Sequence, residues 1–199
     1  MSAFSVLPDG YRQLTVIDLE KDKKVFWSVN LLSLALAAGM FVVGILAVPL
    51  DFGLDANDLV AGWILPFAVL FGGAFLYIFL HEAVHGIFMY AFSRVRLHFG
   101  FRSVFVYAGS NAFFDKKQYI IIALAPVVIW GMILLIACLF CQGAWFWAVY
   151  FIQILNVSGA AGDLYVTLRM SAYPKDILVQ DTGTCMTVYT RIPDGDTRE

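Results

Sequence analysis

The chain has 199 residues, of which 61% are hydrophobic and only 14% charged, and a mean hydropathy of +0.79, too apolar for an ordinary soluble domain. A net charge of −2 gives no basic footprint for nucleic acid, and three cysteines give no disulfide framework. The composition is that of a membrane protein.

Residues 1–24 lack an apolar core and a small-residue cleavage site, so they are not expected to act as a cleavable signal peptide. Four segments are long enough to cross a hydrocarbon layer, which takes about 20 helical residues: 26–48, 60–92, 119–140 and 144–168. Lys21, Lys23 and Lys24 precede the first. Arg94, Arg96, Arg102, Lys116 and Lys117 lie between the second and third, and Arg169 and Lys175 follow the fourth. The opposite loops, "PLDFGLDAND" and "CQG", contain neither Lys nor Arg. By the positive-inside rule both termini are expected to face the cytoplasm, with the protein in a bacterial cell membrane and the first helix as insertion signal. The expected architecture is an all-α membrane core of four transmembrane helices, with a membrane domain over residues 1–170 and a short cytoplasmic tail over 171–199.

Between the second and third spans, "RVRLHFGFR" alternates polar and apolar residues with period two, and Gly109-Ser110-Asn111 is a turn signal. Residues 94–114 are therefore expected to form a cytoplasmic β-hairpin or a short strand against the membrane. In the tail, "DILVQDTGTCMTVYT" reads as a second hairpin turning at Asp181-Thr182-Gly183, and "PDGDTRE" as a disordered end. Cys138-x-x-Cys141 is an incomplete zinc site with no second pair nearby, and such cysteines more often pack as small apolar residues.

The second span ends in "FLHEAVHG". His81 and His85, four residues apart on a helix, project from one face and can close on one metal ion. Glu82 beside them can reach a zinc-bound water without ligating the metal. Zinc lowers that water's pKa towards about 7, and Glu82 as general base would pass the proton to the leaving amine. The bland alternative is a polar cluster joining helices, at a high cost near lipid.

A third ligand is needed. Asp163, in "LNVSGAAGDLY", is the only other carboxylate inside a span. At 1.5 Å per residue His81 lies about 31 Å into its span and Asp163 about 28 Å into its own, and the two spans run the same way. His98, Asp115 and Asn156 compete for the role. Asn156, two turns before Asp163, is a candidate either for binding a substrate carbonyl or for joining helices.

These stretches, with "HFGF", "YIIIALAPVVI", "NVSGAAGDLY" and "DTGTCMTVY", resemble the zincin peptidase family of small bacterial membrane proteins over about residues 7–190. That family is similar to site-2 proteases, intramembrane zinc metalloproteases with an aspartate ligand from a later helix. The resemblance implies Zn2+ as cofactor, His81, His85 and Asp163 as ligands, Glu82 as base, and a peptide or membrane-protein substrate. The Gly162-Asp163-Leu164 context departs from the usual site-2 pattern. The competing class is a non-enzymatic membrane protein that binds metal for structure or sensing.

Overall fold

The computed structural model describes residues 3–19, 21–50, 60–102, 105–183 and 185–192. Most of the loop 49–58 and the expected disordered end 193–199 lie outside them.

Strand β1 (Tyr11–Asp18) is followed by helix α1 (Lys23–Ala47). Asp22 caps α1, its carboxylate accepting from the Lys24 and Val25 N–H groups at 2.9 and 3.3 Å. A π-helical turn, Val60–Ile64, leads into α2 (Leu65–Ser93), and Arg94, with a φ of 57°, ends that helix in the left-handed region. Strands β2 (Leu97–Arg102), β3 (Phe105–Ser110) and β4 (Phe113–Asp115) follow, then α3 (Lys116–Phe140), α4 (Gly143–Gly159), α5 (Ala161–Ala172), β5 (Leu178–Asp181) and β6 (Cys185–Arg191). Asp115 and Gln118 form a reciprocal capping box at the start of α3, at 2.9 and 3.0 Å.

The protein is mostly helical, and four stretches are long and apolar enough to cross a membrane: Lys23–Ala47, Val60–Ser93, Lys116–Phe140 and Gly143–Ala172. These are the makings of a multi-pass membrane protein. The fourth differs from the single continuous span expected over 144–168. It is divided at Ala160 into α4 and α5, where Gly159 is a poor helix former and Asn156, Ser158 and Asp163 dilute the apolar run.

The chain forms two compact units. One comprises Val29–His81 and Pro126–Ala161. In it Trp147 is fully buried among Cys138, Tyr150 and Ile154. The Trp147 indole N–H donates to the Pro49 carbonyl at 3.0 Å and the Tyr150 hydroxyl to the Met40 carbonyl at 2.7 Å. Gly44 permits this packing, since a Cβ there would collide with the Tyr150 ring.

The other unit comprises Met1–Ser28, Glu82–Ala125 and Gly162–Glu199 and holds two antiparallel sheets. One is the β2-β3 hairpin, which reverses between Arg102 and Phe105 rather than at Gly109-Ser110-Asn111. The other has strand order β1-β6-β5-β4. Phe114, Val179 and Val188 stand opposite one another across β4, β5 and β6 and are fully buried, which pins the register. The β5-β6 turn falls at the expected place, with Gly183 at a φ of 110° and its N–H held by the Asp181 carboxylate at 2.8 Å.

Candidate metal centre

On α2, which is unbroken from Leu65 to Ser93, His81 and His85 are one turn apart on the same face, each only 8% exposed. His85 Nδ1 lies 2.9 Å from the Ile122 carbonyl oxygen. A carbonyl only accepts, so Nδ1 carries the proton and Nε2 presents a lone pair. That Nε2 is 3.4 Å from Asp163 Oδ1. His81 Nδ1 lies 2.7 Å from the Tyr77 hydroxyl, four residues earlier on α2.

The break at Ala160 gives Asp163 a local reason for its position. It sits in the first turn of a new helix, α5, where the exposed N–H groups favour a negative charge. Its side chain is 24% exposed. His81, His85 and Asp163 each offer a ligand atom, and the three atoms lie within 4.8 Å of one another. Glu82 follows His81, about 100° further round the helix, and so flanks the histidine face. Its Oε2 accepts a 2.9 Å hydrogen bond from the Ala108 N–H of β3.

The other candidates are engaged elsewhere. Asp115 caps α3. His98 is exposed on β2. Asn156 is fully buried. It accepts from the Tyr77 hydroxyl at 2.9 Å and donates to the Val127 carbonyl at 3.2 Å and to Gln153 Oε1 at 3.3 Å. Cys138 and Cys141 are free thiols and join no metal-capable group among the described residues.

Sequence reasoning missed two groups. Tyr77 looks like any aromatic in an apolar helix, and only its place four residues before His81 could have singled it out. Asp181 was noticed as a turn residue, but it is buried and accepts a 2.7 Å hydrogen bond from the Tyr119 hydroxyl.

Two imidazoles and one carboxylate, nitrogen and oxygen donors converging within a few ångströms, are a donor set suited to zinc with a coordination position left over. A family model described as "Putative zincin peptidase" matches residues 74–178, more than half of the chain and all of the residues above from Tyr77 to Asp163. The chain belongs to that family, whose name implies zinc. It is also 30% identical over 126 residues to the "Uncharacterized 24.7 kDa protein in gap 5'region" of Pyrococcus woesei, an overlap covering 60% of this chain and 54% of the relative. The chain thus spans about half the length of the curated relative it matches. No solved structure matches it.

Proposed function

We propose that this protein is a zinc-dependent, membrane-embedded metallopeptidase of the site-2-protease type, hydrolysing peptide bonds at or near the cytoplasmic membrane surface. The observation that carries the reading is the convergence of His81, His85 and Asp163, with Glu82 adjoining the first. Zinc held by these three residues would act as a Lewis acid, polarising the scissile carbonyl and acidifying water. Glu82 takes the proton of the attacking water as its oxygen bonds to the carbonyl carbon, and returns it to the amide nitrogen as the C–N bond breaks. The Ala108 N–H fixes one carboxylate oxygen during this transfer, leaving the other for the proton.

The orientation rests on charge. Lysine and arginine flank one end of all four spans, which assigns that end to the cytoplasm. Antiparallel pairing of β1, before the first span, with β6, after the last, supports both ends of the chain being on one side. His81 lies about 18 Å from the end of α2 at Ser93, within reach of water and an extended peptide from that side.

The test uses detergent-purified protein, with zinc measured by mass spectrometry and cleavage of an unfolded model substrate. Wild type should carry stoichiometric zinc and His81→Ala should lose it. Glu82→Gln should keep its zinc while turnover falls at least about 10²-fold. Cleavage retained by Glu82→Gln would overturn the hydrolytic role.

A further inference from the structure

His81 and His85 differ in how they are held. His85 Nδ1 faces a carbonyl, whereas His81 Nδ1 faces a hydroxyl that can either donate or accept. The contact alone leaves the His81 tautomer open, and residues further out decide it.

Gln153 Nε2 donates to the Gly131 carbonyl at 3.3 Å, so Gln153 Oε1 is the end that receives Asn156 Nδ2. Asn156 Nδ2 also donates to the Val127 carbonyl, which cannot donate back. Both contacts fix the same amide orientation and turn Asn156 Oδ1 towards Tyr77. An amide oxygen only accepts, so the single hydroxyl proton of Tyr77 goes to Asn156. The Tyr77 oxygen can then only accept from His81. His81 carries its proton on Nδ1 and presents the Nε2 lone pair, as His85 does.

We infer that Tyr77 and Asn156 are positioning residues that set the tautomer and ring orientation of His81 for metal binding. The inference rests on the metal-site reading proposed above. Tyr77 is 6% and Asn156 0% exposed, so water does not compete for the chain of hydrogen bonds. Gly131 leaves room for it, since a Cβ there would stand 3.2 Å from Asn156 Nδ2. In this role Asn156 acts through His81.

The experiment compares wild type, Tyr77→Phe and Asn156→Leu. Zinc-free protein labelled with 15N-histidine, at mildly alkaline pH in micelles, reports the tautomer through two-bond 1H–15N correlations. Wild-type His81 should be the Nδ1–H form. Asn156→Leu removes the acceptor, so the Tyr77 proton turns to His81 Nδ1 and drives the ring to the Nε2–H form. Tyr77→Phe should give a mixture. Zinc affinity by chelator competition should fall about 10- to 100-fold, with Asn156→Leu losing at least as much as Tyr77→Phe. A helix-joining role alone would leave the tautomer unchanged in Tyr77→Phe, which removes one oxygen and keeps the ring. An Nε2–H tautomer in wild type, or wild-type zinc affinity in both variants, would overturn the inference. A wild type that takes up no zinc would instead sink the metal-site reading, and the tautomer measurement would still judge this one.

Discussion

The carboxylate of Glu82 and the backbone N–H of Ala108 are hydrogen-bonded at 2.9 Å, so β3 reaches the side chain that adjoins the metal-capable histidines. Ala108 pairs with Phe99 of β2, yet its N–H points to Glu82, which is the unpaired side of the hairpin. Ala108→Pro removes this donor at a strand edge, where proline is tolerated. Turnover should fall by up to about 10²-fold, the cost of a misplaced catalytic group. Zinc content, measured on the same preparation, should not change.

Asp163 is the expected third ligand, and its competitors give a clean contrast. Asp163→Ala should lose zinc while His98→Ala and Asp115→Ala retain it in side-by-side metal analysis. Asp115→Ala should instead lower the melting temperature, since removing a helix cap costs about 1 kcal/mol. Full zinc in Asp163→Ala with loss in His98→Ala would reassign the site.

Burial pushes the Asp181 carboxyl up from 3.8 to about 6, against the opposing pull of the Tyr119 hydroxyl, the Gly183 N–H and the nearby His85, with Asp163 adding to the rise. Between those values the folded protein binds a proton that the unfolded chain has released. The contribution of Asp181 to stability is therefore fully present below about pH 4 and lost as pH rises through about 6. Its size is on the order of 3 kcal/mol. Thermal melts across this window should flatten in Asp181→Asn; an unchanged pH profile would show that another group sets it.

Lys116 donates to the Ser171 and Tyr173 carbonyls at 2.9 and 2.6 Å, placing a positive charge at the C-terminal end of α5. Lys116→Met should destabilise the fold by about 1 kcal/mol, read as a lowered melting temperature that added salt does not restore.

The helices were legible because nothing but a long apolar run satisfies a lipid environment, and His81-Glu82-x-x-His85 because its spacing encodes a geometry. Asp163 was found by its depth. The division at Ala160 was hidden because Gly159 to Gly162 read equally well as a surface for close helix packing. Strand β1 escaped notice because Ile17 is its only buried residue and its partner is β6, at the far end of the sequence. The β2-β3 hairpin turns between Arg102 and Phe105, away from Gly109-Ser110-Asn111, a stronger local signal that marks the passage from β3 to β4. Tyr77 and Asn156 take their meaning from each other, across helices.

Strand β6 lies between β1 and β5, although it follows every apolar helix in the chain. The edge of β1 that it covers must wait through the making of all four helices, and the loop it closes is nearly the length of the described chain, an entropically slow step. Completion of this sheet is thus a late event in biogenesis. It can occur only in chains whose two ends have been delivered to the same compartment, so a misinserted molecule would betray itself by an unpaired β1 open to quality-control proteases.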